Sequence, residues 1–357
     1  MLDQLLFLLV TAIITFFLYP FWINFVYKYH MGERIRSDGP QTHIMKSGTP
    51  SMGGLVFLLT IAVTTLLFNR SRTQTLFPVL VTALAGLFGV LEDFFKVYRR
   101  SNLNDLFTSF RLPKIVTAPL SIFAPIGSGF KELARIVGSS GNRGIQTYQK
   151  LLMQMTIGGF VAYWTYFKLG WDYIWFPLVG DVHVGFLYPF IIFLLFLMVL
   201  NFVAFTDGID GLAGGLGIIA FGACWVVAAH LEFNSLASLA ATCIGALLAF
   251  LYFNVYPARI FMGDVGSHVL GASLAIFFVV MHREVAMFVI LLVFLVDGIS
   301  SPIQQLSVVL TKKRAFRMAP IHHHFEMLGW PETKVTLRFW LAGTFVAFVG
   351  IFIALLW

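Results

Sequence analysis

The residues best placed to do chemistry lie in Asn201–Gly215, NFVAFTDGIDGLAGG, between two strongly apolar runs. Asp207 and Asp210 stand three positions apart, which puts them on one face if the segment is the first turn of a helix. An ionisable side chain beside hydrocarbon is costly unless it is solvated, paired or metal-bound, so acids at the edge of an apolar run mark a candidate functional site. Gly208, Gly211, Gly214 and Gly215 let a bulky ligand approach the main chain. Thr206 or Asp207 is the expected N-cap of the following helix. Alone, this stretch fits equally well a capped turn carrying two solvated acids. The pattern recurs, however. Glu92 and Asp93 close one apolar run, with Lys96 three residues past Asp93, and Asp264 sits between Gly263 and Gly266 just before another. Carboxylates converging at helix ends without cysteine ligands suit a hard cation such as Mg²⁺, which takes oxygen ligands and bridges substrate phosphates. Glycines and helix N-termini beside them suit phosphate oxygens, and Lys46, Lys96 and Lys150 supply countercharge. An acidic metal site ringed by lysines at a membrane edge predicts phosphoryl transfer to or from a lipid phosphate.

Two further features are weighed against that chemistry. Three consecutive histidines, His322–His324, precede Glu326. Adjacent histidines project in different directions and match no zinc spacing, so the triplet is read as hydrogen-bonding phosphate or orienting a loop. An ion transporter would place its acids at mid-membrane. Asp297 alone has such a position, and it is read as an acid bonded to a neighbouring helix.

The elements that must position these groups are membrane helices. The 357 residues are 59% hydrophobic and 11% charged, where soluble domains run near 25% charged. The apolar runs are continuous, unlike the alternating segments of a membrane β-barrel. The expectation is an all-α, polytopic membrane protein in one domain, residues 1–357. Its ten spans run roughly over 4–27, 53–69, 76–92, 151–168, 187–205, 213–230, 236–253, 265–281, 285–310 and 339–357. The first is too long, and too acidic at Asp3, for a cleavable signal peptide. With both termini outside, the outer gaps hold Arg70, Arg72, Lys168 and Arg283, and the other twenty Lys and Arg of the 24 fall inside. That asymmetry obeys the positive-inside rule. It also accounts for the net charge of +7 without invoking nucleic acid.

Finer expectations follow along the chain. Gly48, Pro50, Gly53 and Gly54 punctuate a turn beside Lys46. The cytoplasmic stretch 103–141 is an insertion broken by Pro113, Pro119 and Pro125, a flexible loop or, at Phe130–Val137, a short amphipathic turn on the membrane surface. Residues 179–186, VGDVHVGF, alternate like a small outside hairpin. Asp297, Gly298 and Pro302 should kink or break the ninth span. Cys224 and Cys243, both inside apolar runs, are expected to be buried free thiols.

Taken together, DGPQTH…KSGTPSMGG at Asp38–Gly54, the acidic pair before Lys96, FTDGIDGLA, FNVYPARIFMGDVGS and MAPIHHHFE resemble a known family over nearly the whole chain. It is the phospho-N-acetylmuramoyl-pentapeptide transferase family, of the polyprenyl-phosphate N-acetylhexosamine-1-phosphate transferase superfamily. The resemblance implies transfer of phospho-MurNAc-pentapeptide from UDP-MurNAc-pentapeptide to undecaprenyl phosphate. That reaction gives lipid I and UMP for peptidoglycan synthesis, with Mg²⁺, at the cytoplasmic face of a bacterial inner membrane. It implies Asp264 as metal ligand, with Asp207 next in line. Gly208, Ile209, Asp210, Asn254 and Phe261 match a nucleoside pocket, Phe261 stacking on uracil. Lys46, Thr49, Lys96, Lys150, Asp207, His322 and His323 match other active-site positions, and a homodimer is left open.

Three departures from the family pattern stand out: Glu92 where an aspartate is usual, Ala204 where an asparagine is usual, and the longer loop between Lys96 and Lys150. They keep two alternatives in view: a related transferase using another UDP-N-acetylhexosamine, and a catalytically impaired paralogue that binds lipid phosphate. Of the acidic pair, the extra methylene of Glu92 points to Asp93 as the group closer to the chemistry.

Overall fold

The computed structural model describes residues 1–29, 31–32, 46, 48–97 and 147–356. Apolar runs with no water to meet their backbone polar groups close those groups internally as helix. In chain order the helices are α1 (Leu2–Lys28), α2 (Gly54–Phe68), α3 (Phe77–Val97), α4 (Thr147–Tyr163, continued by a π-helical turn Trp164–Lys168) and α5 (Tyr188–Thr206). Then come α6 (Leu212–His230), α7 (Asn234–Asn254), α8 (Gly263–Val280), α9 (Glu284–Ile290), α10 (Leu292–Thr311), α11 (Ile321–Glu326) and α12 (Glu332–Leu355). Eight of the described segments are long and apolar enough to cross a membrane, and α2, at 15 residues, is shorter. The chain is a multi-pass membrane protein. The insertion expected at 103–141, with its amphipathic stretch Phe130–Val137, lies outside the described residues.

The helix that carries Asp264 is the axis of the fold. In α8, 89% of the apolar window is buried within the protein, against 17% in α1 and 22% in α12. A helix apolar on every side belongs at the centre, packed all round. It packs against α2, α3 and α5, while α1 lies against α7, and α12 against α6 and α9. Large apolar side chains exposed on α1 and α12, such as Phe17, Phe21, Leu341, Phe345 and Phe352, form the face available to lipid. Small residues bring α8 close to its neighbours. A Cβ on Gly54 would lie 2.1 Å from the Gly266 Cα, so α2 meets α8 backbone to backbone. Cys224 and Cys243 are free and buried.

The fold departs from the sequence expectations in three places. The hairpin pairs β1 (Tyr173–Phe176) with β2 (Gly180–His183), so the expected stretch 179–186 supplies only its second strand. The missed first strand lacks strict alternation and reads as the tail of the preceding apolar run. Its Tyr173 ring stacks on His282 at 4.5 Å and its Trp175 ring lies under the Arg283 guanidinium at 3.9 Å. Burial pushes His282 down to about 4, so this ring stays neutral and packs as an aromatic at neutral pH. The ninth span breaks at Leu291, between α9 and α10, and α10 runs on through Gly298 and Pro302. Gly298 serves close packing: a Cβ there would meet the Phe202 Cβ of α5 at 2.4 Å. Finally, α12 starts at Glu332, seven residues before the expected span, with Pro331 as its N-cap. Pro followed by Glu is a helix-start signal.

Candidate active site

The GTPSMGG turn and the FMGDVG segment are zipped together by main-chain bonds. Phe261 N donates to Pro50 O (2.8 Å), Gly53 N to Phe261 O (2.9 Å) and Gly54 N to Met262 O (2.9 Å). From α1, Tyr19 Oη donates to Gly53 O (3.0 Å) and Trp22 Nε1 to Met52 O (3.1 Å). Two loops far apart in sequence thus form one rigid floor, and Asp264 rises from it in the first turn of α8. Thr49 Oγ1 donates to Lys46 O at 2.8 Å, which makes this residue a brace of the turn.

Around Asp264 the structure gathers the groups the sequence singled out. Its Oδ2 is buried, pairs with Lys96 and lies 3.9 Å from Lys150 Nζ. Lys150, from the first turn of α4, also pairs with Glu92. Asp93 accepts hydrogen bonds from Asp264 N (3.1 Å) and Val265 N (3.2 Å), so it caps α8 from the neighbouring helix α3. These N–H groups would otherwise lack partners at a helix start. One residue here escaped the sequence reading. His268, one turn after Asp264, contacts Asp264 O through Nδ1 (2.7 Å) and Gln154 Nε2 through Nε2 (3.3 Å). A carbonyl can only accept, so Nδ1 carries the proton and Nε2 accepts. Asn201 Nδ2 then donates to Gln154 Oε1 at 2.7 Å, and this buried chain ties α8 to α4 and α5.

A second cluster forms where α5 turns into α6. The turn is not the expected helical one. Thr206 Oγ1 bonds back to Phe202 O (2.9 Å), Asp207 is the C-cap of α5, and α6 starts only after Gly211, whose φ is +77°. Neither Thr206 nor Asp207 therefore caps α6, and the two aspartates do not share a helical face. The turn is held from outside instead. Asp210 Oδ1 accepts from Lys46 Nζ (2.7 Å) and Oδ2 from Ala258 N (3.0 Å). Gly211 N donates to Asn254 Oδ1 (3.1 Å), and Asn254 Nδ2 donates to Ile260 O (2.9 Å), so Asn254 acts as a bracket. Ile209 is buried in the apolar core, so only its backbone can face a ligand. A further acid missed in the sequence, Glu332, accepts from Lys46 Nζ (2.5 Å) and Asp210 N (2.6 Å).

The histidine triplet borders the second cluster at Gly208 and is anchored by Asp297. The three rings do not all project apart: those of His322 and His323 meet edge to face at 4.2 Å over Gly208, with His322 Nδ1 on Asp297 (2.8 Å) and His323 Nδ1 on Glu326 (2.6 Å), and only His324, whose Nδ1 accepts from Arg317 N (3.1 Å), faces elsewhere. Asp297 and His322 are fully buried, and His322 N also donates to Asp297 Oδ1 (2.9 Å). A carboxylate on Nδ1 fixes the tautomer that leaves Nε2 as an acceptor. That Nε2 stands over Gly208: a Cβ there would lie 2.3 Å away. Asp297, read from sequence as an acid bonded to a neighbouring helix, is bonded to α11, and the side chain it holds there is that of His322.

No group of three or more His, Cys, Asp or Glu among the described residues is arranged to hold a metal alone. The donor set still fits Mg²⁺, which settles for one or two carboxylates and completes its shell with water and substrate phosphate. Among the described residues around Asp264, three carboxylates (Glu92, Asp93, Asp264) face two ammonium groups (Lys96, Lys150).

Carboxylates and lysines gathered around a floor of glycine-rich turns suit phosphate chemistry in a multi-pass membrane protein. Residues 133–282 match the family model described as glycosyl transferase family 4, and residues 46–58 match phospho-N-acetylmuramoyl-pentapeptide-transferase signature 1. The latter runs from Lys46 into α2, the segment that forms the floor. Curated relatives named phospho-N-acetylmuramoyl-pentapeptide-transferase match the chain over nearly its whole length. The one from Geobacillus sp. (strain WCH70) is 34% identical over 99% of both chains. Those from Bacillus cytotoxicus and Bacillus anthracis are 35% and 34% identical over 97% of both chains. The chain belongs to the phospho-N-acetylmuramoyl-pentapeptide-transferase family.

Proposed function

We propose that the chain transfers phospho-MurNAc-pentapeptide from UDP-MurNAc-pentapeptide to undecaprenyl phosphate, releasing UMP and forming lipid I. A phosphate oxygen of the lipid attacks the sugar-linked phosphorus of the donor, and the bond from that phosphorus to the UMP oxygen breaks. The observation that carries this reading is the cluster at the start of α8, where Asp264 lies between Lys96 and Lys150. Asp264, with Asp207 as the second candidate, would hold Mg²⁺, and the ion would offset charge building on the transferred phosphate. Lys96 and Lys150 meet the diphosphate. The Gly208–Gly211 turn and Phe261 receive the uridine, and His322 Nε2 stands beside Gly208 to accept a proton or a hydrogen bond.

The proposed topology adds α2 and α4 to the eight long helices, giving ten spans with both termini outside and one transferase domain over residues 1–357. Strict alternation then brings the ends of α2, α3, α4, α5, α7, α8 and α12 that carry the site to the cytoplasmic face of a bacterial inner membrane. Offering the purified protein UDP-MurNAc-pentapeptide and UDP-N-acetylglucosamine in separate reactions tests the donor. UMP release with the first donor alone is the expected result. Release with the second instead would move the chain to a cousin activity.

Two predictions arise here. The cap geometry gives Asp93 its importance through Asp264, since losing one acceptor lets the metal-bearing turn shift, and misplacement of about 1 Å can cost on the order of 10²-fold. In single-turnover measurements Asp93→Asn is expected to lose more of the chemical step than Glu92→Gln. A larger loss in the Glu92 variant, with nucleotide affinity intact in both, would make Glu92 the base. The insertion 103–141, proposed as a loop dispensable for chemistry, is expected to be replaceable by a short linker with turnover retained. Lost catalysis in a folded, nucleotide-binding deletion would refute that.

A further inference from the structure

Lys46 and Asp210 are 164 residues apart in sequence, and a third residue fixes how they meet. Glu332, in the first turn of α12, is buried to 8% side-chain exposure, and its Oε1 accepts two hydrogen bonds. One comes from Lys46 Nζ at 2.5 Å and the other from the backbone N–H of Asp210 at 2.6 Å. One turn further along α12, Thr336 Oγ1 donates to Asp210 O at 3.2 Å. Both main-chain polar groups of Asp210 are therefore strapped to α12, while its carboxylate is shared between Lys46 and Ala258 N. An ammonium has three N–H groups. Two of those on Lys46 are directed at carboxylates, and its Nζ lies 5.6 Å from the Tyr256 ring centroid.

We infer that Glu332 is a positioning residue for the donor nucleotide, acting through Lys46 and the Asp210 backbone. The inference rests on the reading that the Gly208–Gly211 turn receives the uridine. Three points support it. The turn's own main chain supplies the bond from Leu212 N to Ile209 O (3.2 Å), while both the N–H and the C=O of Asp210 between them are held from outside, by α12. Lys46 lies in the matched signature segment, its carbonyl is held by Thr49, and its ammonium is held by Asp210 and Glu332. With two carboxylates around it, the Lys46 side chain is aimed without being fully enclosed, at 14% side-chain exposure. A buried pair that loses one partner strands the other charge. Removing the Glu332 charge therefore disturbs both the lysine and the turn, and leaves the Asp264 cluster alone.

The test is a double-mutant cycle on donor and acceptor kinetics, with UMP binding by calorimetry on the detergent-purified full chain. E332Q keeps the size and one acceptor oxygen and loses the charge. It is expected to raise the donor KM by about tenfold or more, the scale of one lost charge-assisted hydrogen bond, and to weaken UMP to match. The KM for undecaprenyl phosphate should change by less than about twofold. Because part of its action runs through Lys46, the loss in K46M/E332Q should fall clearly short of the sum of the two single losses. E332D, with its charge on a shorter arm, should recover part of the loss. T336V, which removes the neighbouring strap without touching Lys46, gives a milder variant should E332Q prove unstable, and a smaller shift confined to donor KM is expected. Unchanged donor KM in folded E332Q, equal shifts in both KM values, or additive effects in the cycle would overturn the inference while leaving the proposed reaction standing. A wild-type protein that neither binds UMP nor releases it would overturn the reading underneath, and the inference with it.

Discussion

Asp264→Asn is expected to lose turnover by several orders of magnitude, and added Mg²⁺ should not restore it. The substitution keeps the shape of the side chain and removes its charge. Asp264 lies in the first turn of α8, its Oδ2 is buried, and its contacts there are with Lys96 and Lys150. With the charge gone, the two lysines lose a shared partner, and the proposed Mg²⁺ would lose the carboxylate offered to it. Amide oxygens are weaker ligands for a hard ion, and the ion's role is to offset charge that grows in the transition state. The uridine turn is built from other residues, so UMP affinity should stay within a few-fold of wild type. Steady-state turnover across a Mg²⁺ titration, with UMP binding alongside, checks both halves. Near-normal activity would place the metal elsewhere, with Asp207 as the next candidate.

The second large effect is expected at a residue that touches no substrate. Asp297→Asn should lower kcat by roughly 10²–10⁴-fold with donor binding retained, the range of general acid–base contributions and of a mis-set histidine tautomer. Asp297 takes both the backbone N–H and the Nδ1 of His322, and nothing else fixes that ring so directly. An asparagine that turns its NH₂ toward Nδ1 makes Nδ1 the acceptor and moves the proton to Nε2, the nitrogen over Gly208. His322→Ala should then cost about as much as Asp297→Asn, and the double variant little more, because both remove one device. Full activity in Asp297→Asn would reduce the pair to a structural tie between α10 and α11.

How much of this was legible in the sequence depended on whether the partners were close in the chain. Apolar runs and the bias of basic residues gave the helices, because desolvation leaves the backbone few alternatives. Asp264 announced itself as a carboxylate between glycines at a helix start, and Glu92, Asp93 and Lys96 as charges closing a span. Asp297 did not, since its significance lies in a hydrogen bond to His322, 25 residues away across a loop. Glu332 was further out of reach: its partner Lys46 is 286 residues distant, and a glutamate opening a helix is ordinary by itself. The turn after α5 misled for a local reason. Thr206 and Asp207 have the right chemistry for an N-cap, but Thr206 bonds back into α5, and Gly211 at positive φ delays the next helix. The family resemblance named Asn254 and Ile209 as pocket residues. Their side chains serve as a bracket and as core, a distinction that burial and hydrogen bonding make and residue type does not.

The proposed reaction moves a sugar-linked phosphate onto a lipid phosphate at the Asp264 cluster. Its most direct test is product stoichiometry from the purified chain with UDP-MurNAc-pentapeptide, undecaprenyl phosphate and Mg²⁺. The account predicts UMP and lipid I in equal amounts, with neither formed when the lipid, the donor or the cation is withheld. UMP released without lipid product, product formed in a chelator at the full rate, or no product from a folded protein that binds UMP would contradict it.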